Sequence, residues 1–87
     1  MKKDVYRDVA VAIFRLINEH GWNNTFTVSE IAQMSRMSRL VVGRTLKNRL
    51  EDIGIYLRRC TGRSFHLERM TIDNLVFVKV IEKYPVK

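Results

Sequence analysis

One cysteine, one proline and two histidines are all that this 87-residue chain has of three residue types rich in chemistry or constraint. With Cys60 alone, no disulfide can form within the chain, and a reducing, cytoplasmic setting is expected. His20, His66 and Cys60 are too few and too scattered for a metal site, so neither metal nor cofactor is expected. No paired carboxylates sit beside a histidine, and no glycine loop could cradle a phosphate. The expectation is therefore a protein that is not an enzyme, with no catalytic residues. Long apolar runs are missing too. The early stretch VAVAIF is bounded by Asp4, Asp8 and Arg15, too short and too charged for a membrane span. It also lacks a signal-peptide pattern, so no membrane partner is expected. No low-complexity tract argues for disorder. A hydrophobic content of 46% fits one folded domain over 1–87 with one modest core.

What the chain does have is positive charge, unevenly placed. The formal net charge is +7 and the pI near 10.1. Residues 39–69 hold Arg39, Arg44, Lys47, Arg49, Arg58, Arg59, Arg63 and Arg69 against Glu51, Asp52 and Glu68. The flanking segments, 1–38 and 70–87, are close to balanced. Such clustering is the footprint of a polyanion partner. The plain alternative is a generally basic, solvated surface.

Local patterns divide the chain. Val5, Val9, Ile13, Leu16 and Ile17 recur every three or four residues and predict a first helix from Asp4 to His20. Asp4 suits its N-cap and Gly21 its end. A short strand is expected around Thr27. Thr27-Val28-Ser29-Glu30 fits a capping box, which opens a second helix with Ile31, Ala32 and Met34 inward. Ser35-Arg36-Met37 reads as a turn and Ser38 as the N-cap of a third helix, expected over 39–53 with Gly54 as its stop. At 100° per residue, Val42, Leu46, Leu50 and Ile53 face the core. Leu40, Gly43, Arg44, Lys47 and Glu51 face out.

Two residues in that helix stand out. Gly43 costs about 1 kcal/mol of helix propensity relative to alanine. It either admits a close approach to a ligand or relieves crowding against the second helix, and the sequence leaves both open. Arg49 falls by angle inside the apolar stripe. Its expected role is structural, snorkelling past Leu46 and Leu50 or pairing with Glu30 or Asp52.

Beyond Gly54, Ile55-Tyr56-Leu57 and Phe65-His66-Leu67 alternate around Thr61-Gly62. A hairpin over 55–68 is expected, with Arg58, Arg59 and Arg63 crowding its tip. The last segment carries two signals. Thr71 and Asp73 suit a helix start, whereas Leu75 to Ile81 is β-branched and partly alternating. A helix over 71–84, ended before Pro85, is the expectation. Such a helix would be apolar nearly all round and would need cover on several faces. A homodimer through Leu75, Phe77, Val78 and Ile81 follows from that expectation.

Residues 27–67 resemble the winged helix-turn-helix superfamily of DNA-binding domains. The likeness rests on Ser29-Glu30-Ile31-Ala32, the turn ending at Met37-Ser38, the run Val42-Gly43-Arg44-Thr45-Leu46-Lys47, Gly54 and the hairpin. With the terminal helices it extends to small MarR-like and ArsR-like regulators, a type common in archaea and their viruses. The resemblance implies an α+β fold: a three-helix core with helix-turn-helix over 28–53, a two-stranded wing over 55–68 and a C-terminal helix that builds a dimer. It implies sequence-specific binding of double-stranded DNA, as in a transcriptional regulator. The third helix would enter the major groove, with Arg39, Leu40, Gly43, Arg44 and Lys47 as contacts. Arg58, Arg59 and Arg63 of the wing would meet phosphates or the minor groove. Two positions depart from the pattern. Arg36 stands where the turn often has glycine and would add a cation beside the phosphates, and Arg49 stands where an apolar residue is usual.

A second class of function stays open. A winged helix can serve as a protein-protein module, or as an accessory part of a replication or segregation complex. Cations on the third helix and wing favour DNA. An exposed apolar third-helix face favours protein, and Leu40 keeps that reading in play.

Overall fold

The computed structural model describes residues 5–63 and 65–82. The expected Asp4 cap and the end of the expected last helix at 83–84 lie outside them. The order of elements is α1 (Val5–His20), β1 (Thr25–Thr27), α2 (Val28–Ser35), α3 (Arg39–Asn48), α4 (Leu50–Thr61), β2 (Phe65–Ile72) and β3 (Leu75–Glu82). It is an α+β fold of four helices and one three-stranded antiparallel sheet, ordered β1-β3-β2.

The first half follows its local signals. The α1 stripe buries Val9, Ile13, Leu16 and Ile17, joined by Ala10 and Ala12. Gly21, at φ 93°, ends the helix in a conformation that disfavours a side chain. Asn24 then donates from Nδ2 to the carbonyls of His20 and Gly21, at 2.7 and 3.1 Å. The capping box is complete: the Thr27 amide donates to Glu30 Oε1 at 2.8 Å, and the Glu30 amide to Thr27 Oγ1 at 3.1 Å. Ser38 Oγ accepts from the Val41 amide at 3.2 Å and caps α3. A cap of this kind stabilises its helix by about 1 kcal/mol. Between them Arg36 closes α2 in the left-handed region, φ 60° and ψ 37°. The Met37 amide reaches back to the Ala32 carbonyl at 3.1 Å, which satisfies part of the frayed end.

The second half departs from expectation in three places. The expected helix 39–53 bends at Arg49 (φ −128°, ψ 26°), where α3 gives way to α4. The hydrogen-bond ladder continues on both sides, from the Arg49 amide to Thr45 and from the Ile53 amide to Arg49. The bend is held by the Arg49 side chain. Its Nε bonds Asp52, and its guanidinium lies 4.5 Å from the centroid of the Tyr6 ring. The structural role expected of Arg49 is the one found.

Gly54 is not a stop. It lies buried within α4, where an added Cβ would meet Leu67 at 4.0 Å and Arg58 at 3.5 Å. The expected hairpin over 55–68 is therefore half wrong. Residues 55–61 are helix, with Ile53 and Leu57 buried four apart, and Gly62 is the left-handed cap at φ 70°. The hairpin is instead β2–β3, turning at Asp73-Asn74, both with positive φ (51° and 66°). Two such residues between paired strands match the handedness of strand twist.

Nor is the last described segment a helix. Leu75–Glu82 is the central strand, paired with β2 along its length and with β1 through Thr25↔Lys79, Phe26↔Val78 and Thr27↔Phe77. β-branched alternation outweighed the helix-start signal at Thr71 and Asp73. One sheet face, through Phe26, Phe65, Leu67, Val78 and Val80, completes the core with Ile31, Leu46, Ile53 and Leu57. Val78 is 0% exposed and is removed from any interface between copies. An all-apolar helix would have called for a dimer, whereas a strand needs cover on one face only. Leu75 remains exposed, and Phe77 and Ile81 are half-buried.

Candidate nucleic-acid interface

α3 is amphipathic in a specific way. Val42 and Leu46 are buried without remainder. On the far side, Leu40, Gly43, Arg44 and Lys47 fall within about 100° of one another, given 100° per residue. Leu40 is 70% exposed at the centre of that arc. Gly43 carries no packing burden, since a Cβ there would meet nothing within 4 Å. Crowding against α2 is thereby excluded as its reason.

The hairpin supplies the opposite wall. Residues 65, 67, 69 and 71 of β2 share a face, as do 76, 78 and 80 of β3. Near the helices that face is core, with Phe65, Leu67, Val78 and Val80 buried. Past the edge of the core the same face continues through Arg69 and Val76 and turns towards α3. The result is a cleft of about 480 Å³ lined by Arg39, Leu40, Gly43, Arg44, Lys47 and Asn48 of α3 with Arg69 and Val76 of the hairpin. Among the described residues no carboxylate lines it. Among the described residues, Arg39, Arg44, Lys47 and Arg69 make no ion pair and no side-chain hydrogen bond. Four cations converging with no protein counter-charge raise the local concentration of any polyanion.

The other expected contacts lie elsewhere. Arg36, exposed in the α2–α3 turn, borders a separate groove of about 710 Å³ with Arg15, Met34, Met37 and Val41. Arg58 and Arg59 occupy the last turn of α4, where cations complement the helix dipole. Arg58 sits beside Gly54, Leu67 and His66. Arg63 lies over the Trp22 ring. None of these three lines the cleft, so the basic hairpin tip expected at 58–63 does not exist. The residues that reasoning from sequence missed are Asn48, Arg69 and Val76. Arg69 had a signal: it continues the inward parity of Phe65 and Leu67, where a charge is out of place unless the strand has left the core.

Cys60 is exposed near the end of α4. Among the described residues no three of His, Cys, Asp or Glu gather as a set that could hold a metal ion. No helix among them is long and apolar enough to cross a membrane. No protein-family model, curated protein or solved structure compared with the chain matches it.

Proposed function

We propose that this domain is a winged helix-turn-helix protein that binds double-stranded DNA sequence-specifically, in the manner of a transcriptional regulator. The supporting observation is the cleft, where cations without protein partners surround an exposed Leu40 and a Gly43 that the fold does not require. α3 is ten residues, about 15 Å at 1.5 Å per residue, a length that a major groove about 12 Å wide accepts endwise or aslant. Arg39, Arg44 and Lys47 would then face base edges or phosphates. The β2–β3 hairpin serves as the wing and brings Arg69 to the adjacent backbone. Arg36, in the turn that precedes α3, adds a phosphate contact.

The test is fluorescence anisotropy with random and selected duplexes across a salt series. Replacing Arg44, Lys47 and Arg69 together by alanine should reduce the log-log salt slope by about 0.9 for each phosphate no longer neutralised. An unchanged slope would remove the cleft from the interface. Arg44→Ala alone should cost about 1–3 kcal/mol at the preferred site if the guanidinium reads a base.

A second reading is favoured by one observation. Leu40 and Val76 give the cleft an apolar strip, which suits an accessory protein-binding module. Salt-insensitive capture of a protein, with no affinity for duplex, would decide for it. A homodimer belongs to the DNA reading as a proposal, now through the outward strip of the hairpin. Ile72 and Leu75 are 53% and 59% exposed there and lie directly opposite each other. A twofold pair would present two copies of α3 to successive major grooves, about 34 Å apart.

A further inference from the structure

We infer that the centre of the cleft, Leu40 with the gap over Gly43 and the side chain of Val76, is a seat for the 5-methyl group of a pyrimidine in the major groove. The inference rests on the DNA reading above and adds the chemical feature read. Cations alone would explain attraction to any phosphate chain. They do not explain why a leucine stands 70% exposed in the first turn of α3, one turn before a residue with no side chain on the same face. Apart from the adjacent residues and the helix's own backbone, no described atom lies within 4 Å of where a Gly43 Cβ would stand, so the fold leaves the space open. Val76 borders the same cleft from the hairpin side. The cleft thus combines apolar groups with cations on both of its walls.

In the major groove of duplex DNA, the apolar feature among the donors and acceptors of the base edges is the 5-methyl of thymine, or of 5-methylcytosine. Guanine edges and phosphates on either side match Arg39, Arg44, Lys47 and Arg69. A protein partner of the same shape would have to carry an acidic rim around an apolar knob. Duplex DNA carries the negative charge at every step, and the charge of the cleft favours it.

The experiment begins with a preferred duplex selected from a random library. Each thymine of its half-site is then replaced in turn by uracil, which removes one methyl and changes no hydrogen-bonding group. At one position the wild-type protein should lose about fourfold in affinity, the value of burying one methyl-sized group. Leu40→Ala, a substitution at an exposed site, should bind the thymine duplex more weakly and show no further loss with uracil. Circular dichroism checks that this variant is folded. A library position held as cytosine or 5-methylcytosine separates the two sources of the methyl. Tighter binding of the methylated base there, with uracil no worse than thymine elsewhere, assigns the seat to methylated cytosine. If duplex binds and no methyl matters, or if Leu40→Ala still senses the missing methyl, the seat is overturned and the DNA reading survives. If no duplex is selected above background, both fall.

Discussion

The guanidinium of Arg63 lies 4.7 Å from the centroid of the Trp22 ring, just past the left-handed cap of α4. Trp22 in turn meets the buried Phe65 at 5.4 Å between centroids. This stack ties the α1–β1 turn to the entry of β2. Replacing Arg63 by alanine should therefore act on stability, by about 0.5–1 kcal/mol for an exposed cation over indole. Trp22 is the single tryptophan, so its emission should shift in the variant. The salt slope of DNA binding should not change. A flattened slope with unaltered emission would return Arg63 to the DNA surface.

Arg36 offers a separation of fold from function. It holds a left-handed conformation, φ 60°, that costs a residue with a side chain about 1 kcal/mol or more. Arg36→Gly should leave urea stability unchanged or raise it by up to about 1 kcal/mol, because the relief outweighs the added freedom of the unfolded chain. The same change should weaken DNA binding and shorten the salt slope by about one phosphate's worth. A stabilised variant with full affinity would show that Arg36 serves neither purpose.

Gly43→Ala makes a parallel case inside the cleft. The new methyl meets nothing in the free protein, so helix propensity alone should add up to about 1 kcal/mol of stability. Filling the gap should weaken binding to the selected duplex. Denaturation midpoint and anisotropy therefore move in opposite directions. If both rise together, DNA does not approach α3 at Gly43.

The hairpin strip is tested by mass. Sedimentation equilibrium at high micromolar concentration should give a dimer for the wild type. Ile72→Thr with Leu75→Thr keeps strand propensity and removes the apolar pair, and should give a folded monomer. A monomeric wild type would end the twofold proposal.

The helical front of the molecule was legible because its signals are local. The capping box at Thr27 and Glu30, the cap at Ser38 and the α1 stripe each need only a few neighbouring residues. The second half turned on competition between local signals. Gly54 resembles a stop, yet it allows α4 to pass close to Leu67. Ile55-Tyr56-Leu57 alternates for three residues, too few to separate strand from helix, while Leu50, Ile53 and Leu57 keep helical spacing. Thr71 and Asp73 imitate a helix start, although Asp73-Asn74, two residues that tolerate positive φ between apolar runs, favours a hairpin. The α3 half of the candidate site followed from periodicity. Its hairpin half did not, because the wall containing Arg69 exists only once the turn is placed correctly.

The position of β3 has a consequence for how the chain comes to be folded. β1 lies between the first two helices, β2 follows the last, and each finds its partner in β3. Until Val78 and Val80 arrive, Phe26 and Leu67 have no strand beside them, and the helices lack the sheet that covers their inner faces. A ribosome that has made the helices but not yet β3 therefore holds them unroofed. The β1–β3 pairing, which joins Phe26 to Val78, is long in sequence and waits for β3, so closure is expected to be cooperative and slower than helix formation. A nascent chain stalled before β3 should be cut readily by protease, and one stalled after it has cleared the tunnel should resist.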